Sequence, residues 1–257
     1  AVYFAHQYDT ETAGMVCSCV LRELETLFGA PRCSFTYEQL VAGLKKIGID
    51  HVYDPAYASH ASDNQAADML DKALSKKSRK CLILTRDYAA KNFLKANYPE
   101  LEKQFIFYDS MQKVFGDYMH EHFPGVKLYN VTCRNSNAAE AVDEGTVDYF
   151  INTRELYRIF LRTGVNPALR KGESPEILCE MPRCERYAQL LHAGRWELSG
   201  EASELSFTEN GKEYKALICH NPSQFKKAVE KMLKSRSKFL KVSENGMKKT
   251  EKVRWLQ

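Results

Sequence analysis

The sequence predicts an α/β fold, because helical and strand-like segments alternate along most of the chain. Amphipathic segments with apolar residues three and four apart are followed by short runs rich in valine, isoleucine and tyrosine. A length of 257 residues is enough for one large domain or two lobes. The 44% hydrophobic and 27% charged residues are typical of a soluble globular protein.

The first half of the chain shows this alternation through its apolar periodicity and its glycine stops. The segment 20–28 has apolar residues on one helical face and is followed by Gly29. Thr36 opens a second helix, whose apolar face ends before Gly48. The elements predicted next are a strand at 51–54, a helix at 63–74, a strand at 80–84 and a helix at 88–97.

The second half continues the same pattern and then changes character. Residues 164–182 contain three prolines, which indicates a loop or a connection between lobes. Asn210-Gly211 between two strand-like runs predicts a β-hairpin within residues 205–219. The other predicted elements are helices at 109–122, 153–163 and 223–233 and strands at 126–131 and 148–151.

Composition and charge argue against several classes of protein. No run of 18 apolar residues is present, so we expect no membrane-spanning helix, and the N-terminus lacks a signal-peptide pattern. The net charge is +4, and eleven Lys or Arg residues against three Glu fall within residues 225–257. This basic run is typical of a solvated helix face, with docking of an acidic protein or redox partner as the alternative. Aromatic residues are not interleaved with it, which disfavours nucleic-acid binding.

The chain has eight cysteines. Because a chain of this length does not need disulfides for stability, and no secretory segment is present, we expect reduced thiols in a cytoplasmic protein. Only Cys17-Ser18-Cys19 and the pair Cys179 and Cys184 are close in sequence, and neither spacing is a strong zinc signature. The cysteines are Cys17, Cys19, Cys33, Cys81, Cys133, Cys179, Cys184 and Cys219.

Five stretches occur in an order that resembles the hydrogen-cluster domain of [FeFe]-hydrogenases. They are residues 39–54, the Tyr98-Pro-Glu-Leu101 step, residues 109–116, the run Val147-Asp-Tyr-Phe-Ile-Asn-Thr-Arg-Glu-Leu156, and residues 211–220. The resemblance implies a single catalytic-domain fold over residues 1–257, with mostly parallel sheets and helices around a central cleft. It also implies two lobes, roughly 1–125 with the C-terminal tail and 126–235.

The resemblance breaks down at the positions that would hold the family's metal cluster. That family binds an iron–sulfur cubane through four cysteines. The loop that supplies the first of them corresponds here to residues 84–91, which contain no cysteine. The glycine-rich passage that supplies the last two corresponds to residues 239–248, which also contain no cysteine. Only Cys133 matches a ligand position. We therefore expect no hydrogen cluster and no hydrogenase activity.

Two further interpretations of these positions stay open. Cys17, Cys19, Cys133 and Cys184 each align with an element that lines the family's cluster pocket, so they could hold zinc or a [4Fe-4S] cluster. The alternative is that they are small buried residues that only pack. Arg86 and Asp87, in place of the family's cysteines, could form a polar pocket or a plain ion pair. The predicted function is a binding, redox-sensing or accessory protein, with an electron-transfer protein carrying a remodelled cluster as the alternative.

Overall fold

The computed structural model describes residues 10–75, 82–133, 135–188 and 203–219, together with residues 191, 224 and 226–230. Strands and helices alternate through most of this range, which confirms the predicted α/β class. No helix among the described residues is both long and apolar enough to cross a lipid bilayer. Of the predicted helix at 223–233, residues 224 and 226–230 are described, and they are helical.

Eight strands and seven α-helices have both ends within the described residues. Two short 3-10 helices, Pro99–Gln104 and Pro167–Leu169, complete the regular structure. The strands are β1 (Thr12–Val16), β2 (His51–Tyr53), β3 (Ile83–Thr85), β4 (Phe105–Phe107), β5 (Lys127–Thr132), β6 (Tyr149–Asn152), β7 (Ser203–Glu209) and β8 (Lys212–Ile218). The helices are α1 (Cys19–Leu27), α2 (Tyr37–Lys46), α3 (Ala56–Leu74), α4 (Tyr88–Asn97), α5 (Met111–His122), α6 (Asn135–Asp143) and α7 (Thr153–Thr163).

The largest sheet is fully parallel and has the strand order β2-β1-β5-β6. One of its two inner strands, β1, is buried along its whole length and was not predicted. A strand covered on both faces has no polar and apolar alternation to reveal it. Ala13 and Gly14 also lack the branched side chains that are typical of strands.

Helices cover both faces of this sheet, as expected for a parallel sheet. One apolar cluster contains Tyr129 and Val131 of β5, together with Leu24 of α1 and Phe160 of α7. A second cluster contains Leu128 of β5, together with Phe115 and Met119 of α5. Successive residues of β5 therefore point into different cores.

Capping residues explain why several predicted helix ends match the structure closely. The Thr36 side chain accepts a hydrogen bond from the Gln39 backbone N–H, and the Gln39 side chain caps Thr36 in return. Asn152 and Glu155 form the same reciprocal pair at the start of α7. Gly164 ends α7 in the left-handed conformation, with φ of 66°.

The chain divides into two compact units that interleave in sequence. Unit 1 comprises residues 1–62, 87–89 and 109–182, and unit 2 comprises residues 63–86, 90–108 and 183–257. This division differs from the predicted lobe boundary at residues 125 and 126. The reason is that β5 pairs with β1 in one parallel sheet, so that boundary runs through the sheet of unit 1.

Unit 2 contains two small sheets. β3 pairs with β4 in parallel, and β7 pairs with β8 in an antiparallel hairpin. Asn210 and Gly211 at the turn both have positive φ, 51° and 72°, which is the conformation that a two-residue type I′ hairpin turn requires. The predicted Asn-Gly hairpin is therefore confirmed.

His51, in β2 of the parallel sheet, bonds both to the residue before β1 and to the proline-rich segment that follows α7. Its Nε2 lies 2.7 Å from Oε1 of Glu11, and its Nδ1 lies 2.9 Å from Oε2 of Glu176. Glu176 also pairs with the edge strand β2, because its backbone N–H donates to Val52 O and its carbonyl accepts from Asp54 N–H. The imidazole thus connects three segments that are distant in sequence.

A pH dependence of stability follows from this arrangement. Partial burial opposes the charged imidazole, but the hydrogen bonds and charges of Glu176 and Glu11 outweigh it and raise the pKa of His51. The stabilisation is therefore complete below the unfolded pKa of about 6.5 and is lost as the pH rises through the folded pKa. We expect His51→Gln to remove about 0.2–1 kcal/mol near pH 6 and little at pH 9, as measured by urea unfolding. An equal loss at both pH values would contradict this explanation.

Candidate functional site

The carboxyl ends of β1 and β5 lie side by side at one edge of the parallel sheet. Val16 and Val131 are register partners near these ends. The backbone N–H of Cys17 donates to Val131 O at 3.0 Å, so the pairing extends one residue beyond β1. Cys133 follows the last residue of β5 directly. Ligand and active sites of parallel α/β folds commonly lie at this edge.

The turn between β1 and α1 brings two cysteines to the same place. Cys19 is the first residue of α1 and Ser18 is its N-cap. The backbone N–H of Val20 donates to Cys17 O at 3.0 Å, which closes the turn. The Sγ of Cys19 consequently lies 2.8 Å from the Sγ of Cys17 and 2.6 Å from the Sγ of Cys133. We refer to Cys17, Cys19 and Cys133 as the thiol cluster.

The central thiol of this cluster is electrostatically distinct. Its contact with Cys133 and its burial together outweigh the opposing effect of Cys17 and raise the pKa of Cys19. Cys19 is therefore a protonated thiol at neutral pH rather than a thiolate. All three cysteines are only partly buried, and no cysteine of the described residues is in a disulfide.

Tyr37 is a component of this region that the sequence analysis missed. Its hydroxyl donates a hydrogen bond to Val16 O at 3.0 Å, at the end of β1. Burial is the main cause that raises the pKa of Tyr37 well above its usual range, and the nearby Asp54 carboxylate adds to the effect. The only signal in the sequence was an aromatic residue at the first position of α2, which is not specific.

The sulfurs of the thiol cluster lie closer together than metal-bound thiolates do. Two thiolates on one tetrahedral zinc, each at about 2.3 Å, would be about 3.8 Å apart. Thiolates on a cubane bind different irons and are farther apart still. The observed 2.6 and 2.8 Å are shorter than either. No group of three or more His, Cys, Asp or Glu within the described ranges could hold a metal ion.

The structure brings together three of the four cysteines that were predicted as ligands, and metal binding by them stays a prediction. Cys184, the fourth, belongs to unit 2. Its backbone N–H donates to Asn64 Oδ1 at 2.7 Å, and its side chain packs against a core that contains Leu70 and Tyr187. The packing interpretation of Cys184 therefore has direct support.

Cys179 lies in unit 1 but outside the thiol cluster. It lines an open cavity of about 490 Å³, together with Tyr57, His60 and Met181. The Nδ1 of His60 is 2.8 Å from Met181 O, so the ring is tied to the segment that closes one side of the cavity. In the sequence this segment is marked only by its prolines, which indicated a loop or connection.

The segment corresponding to the family's first ligand loop contains an ion pair. Nη1 of Arg86 lies 3.5 Å from Oδ1 of Asp63, whose side chain is fully buried. This favours the ion-pair interpretation, with Asp63 of α3 as a partner of Arg86. Residues 239–248, where the family's last two ligands would fall, lie outside the described residues.

Comparison with known proteins gives one family and one fold. Residues 11–244 match the family model "Iron only hydrogenase large subunit, C-terminal domain". A variant of the [FeFe]-hydrogenase HydA1 from Chlamydomonas reinhardtii superposes with a TM-score of 0.60 at 18% identity, covering 65% of this chain and 46% of that one. A structure of HydA(deltaEFG), described as revealing stepwise H-cluster assembly, gives the same values.

A third structure is an apo form of another HydA1 variant from the same organism. It matches at 19% identity with a TM-score of 0.57, over 65% of this chain and 46% of that one. The present chain therefore spans less than half the length of the solved hydrogenases that it matches. At this level of identity the likeness concerns the fold. No curated protein sequence matches the chain.

Proposed function

Because the chain belongs to the family defined by the C-terminal domain of the iron-only hydrogenase large subunit, we propose that it keeps the family's fold without its hydrogen chemistry. In this proposal the thiol cluster occupies the edge of the sheet as a redox-sensing site. The observation that carries the proposal is the distance of 2.6 and 2.8 Å between the sulfurs of Cys133, Cys19 and Cys17. Sulfurs at these distances favour reaction with one another over binding to a large cluster.

The residues around the site support this assignment. A hydrogenase of this family needs four thiolates for its cubane, and among the described residues only Cys133 stands at a matching position. Arg86, in the loop that would supply another ligand, forms an ion pair with Asp63. The chain would act as a sensing or accessory domain with a protein or redox partner.

Hydrogen turnover provides the first test. The full chain, produced together with the hydrogenase assembly proteins, is expected to evolve no hydrogen from reduced viologen above a heat-killed sample. The reason is that three of the four cluster ligands have no counterpart in the sequence. A family hydrogenase that keeps all four cysteines is the positive control, and measurable hydrogen from this chain would contradict the proposal.

A second candidate function is electron transfer by a metal or remodelled [4Fe-4S] cluster on Cys17, Cys19, Cys133 and Cys184. The observation in its favour is that three of these sulfurs are adjacent. Iron and zinc analysis of anaerobically purified protein, with its visible spectrum, separates the two candidates. The redox-sensing proposal predicts much less than about one metal ion per chain. It also predicts that the metal content of Cys133→Ser equals that of the wild type. A stoichiometric metal that is lost with Cys133→Ser would favour the second candidate.

A further inference from the structure

We propose that Cys19 and Cys133 form a disulfide by exchange with a low-molecular-weight disulfide such as oxidised glutathione, and that Cys17 is the thiol that reopens it. This inference rests on the proposed redox function of the thiol cluster and assigns a role to each member. The sulfur of Cys19 is the central one, since it lies within 2.8 Å of both neighbours.

The structure favours the pair Cys19 and Cys133 over Cys17 and Cys19. Its sulfurs lie 2.6 Å apart, within reach of bond formation. The two cysteines stand on different elements, at the start of α1 and after β5, so each side chain can adjust independently. A bond between Cys17 and Cys19 would close a small ring around Ser18, within a turn that already holds the Val20 to Cys17 hydrogen bond. Disulfides with poor geometry store strain and are reduced more easily.

The exchange balances without any further reagent. The thiolate of one cysteine attacks a sulfur of the small disulfide, whose S–S bond breaks to release one small thiol and leave a mixed disulfide. The second cysteine then attacks the protein sulfur of this mixed disulfide and releases the second small thiol. Two protein thiols are oxidised, the small disulfide is reduced, and the two protein protons leave on the two small thiols.

Reopening uses the third member of the cluster. The thiolate of Cys17 attacks Sγ of Cys19, the bond from Cys19 to Cys133 breaks, and Cys133 leaves as a thiol after taking up a proton. The resulting strained disulfide of Cys17 and Cys19 is then reduced by two small thiols, which become one small disulfide. Partial exposure of all three cysteines gives small molecules access to them. The first step is intramolecular and therefore fast compared with attack from solution.

Peptide mapping of the full chain tests the pairing. Anaerobically purified protein is treated with oxidised glutathione, alkylated and digested, and the linked peptides are identified by mass spectrometry. We expect a Cys19 to Cys133 linkage in the wild type. We expect Cys133→Ser to abolish it, and Cys33→Ser, which removes an exposed thiol outside the cluster, to leave it unchanged. Cys17→Ser should still form the linkage but reopen it in reduced glutathione at least about tenfold more slowly.

The outcomes are distinguishable. The assigned pairing would be overturned by glutathione adducts without a protein disulfide, or by a disulfide of Cys17 and Cys19 as the main product. Either result would still show a redox-active cluster. Reopening at the wild-type rate in Cys17→Ser would overturn the role of Cys17. If the thiol cluster did not react with oxidised glutathione at all, the redox function itself would be overturned. Hydrogen evolution, measured in a separate assay, would also contradict the proposed function. Titration of the wild-type linkage in glutathione buffers needs no variant, so a variant that fails to fold does not remove the test.

Discussion

Replacing Gly116 with alanine is expected to lower the free energy of unfolding by about 3 kcal/mol or more. A Cβ atom at this position of α5 would lie 2.0 Å from the carbonyl oxygen of Thr146 and 2.7 Å from its carbonyl carbon. Thr146 cannot move away easily, because its backbone N–H donates to Ala141 O at 2.8 Å and its hydroxyl donates to the same carbonyl at 3.1 Å. The close approach of backbone to backbone therefore requires glycine.

Gly43 provides the matched control, since it is also a glycine inside a helix. The three atoms nearest to a Cβ there would be ring atoms of Phe160 and Pro167, at 3.2–3.4 Å. Alanine gains about 1 kcal/mol of helix propensity over glycine at both positions, so a difference between the two variants reports the steric contact. Urea unfolding of both proteins measures it. If Gly116→Ala were no less stable than Gly43→Ala, helix α5 could not lie as close to Thr146 as described.

Phe160→Ala is expected to destabilise the protein by about 3–5 kcal/mol, the range found when a buried aromatic ring is removed from a core. Phe160 is fully buried in the cluster that joins α7 to the sheet of unit 1. Its ring contacts the face of α2 at Gly43. Because glycine has no side chain that could move into the space, the cavity would not be refilled by collapse from that side.

The neighbouring Leu161 is the control for this second prediction. It lies on the same helix but is 57% exposed, so Leu161→Ala should change the free energy of unfolding by no more than about 0.5 kcal/mol. The measurement is urea unfolding of the two variants beside the wild type. Similar losses for both variants would mean that α7 does not present Phe160 to the core.

Most helices and their ends could be predicted from the sequence, because their signals are local. The capping pairs of Thr36 with Gln39 and of Asn152 with Glu155 stand at fixed spacings and mark helix starts directly. Helix α6 and strand β4 were not predicted, and neither was strand β1. Strand β1 shows why: its five residues are buried on both sides, so only its pairing with β2 and β5 reveals it.

Family membership was also determined by the sequence alone, because an ordered set of short motifs can be recognised without any knowledge of contacts. The site was determined only in part. Cysteine positions could be read from the sequence, and their alignment with pocket-lining elements suggested one site for four thiols. Distances between side chains could not be read, because Cys19 and Cys133 are 114 residues apart in sequence.

Only the tertiary structure decided which thiols meet. The parallel pairing of β1 with β5 sets the ends of both strands side by side, and the turn after β1 then places Cys17 and Cys19 beside Cys133. Cys184 belongs to the other compact unit, where Asn64 and a separate apolar core hold it. Strand register is a long-range property that local sequence does not encode. The sequence therefore determined the fold class and the candidate thiols, and the pairing of two distant strands decided that three of them form a cluster.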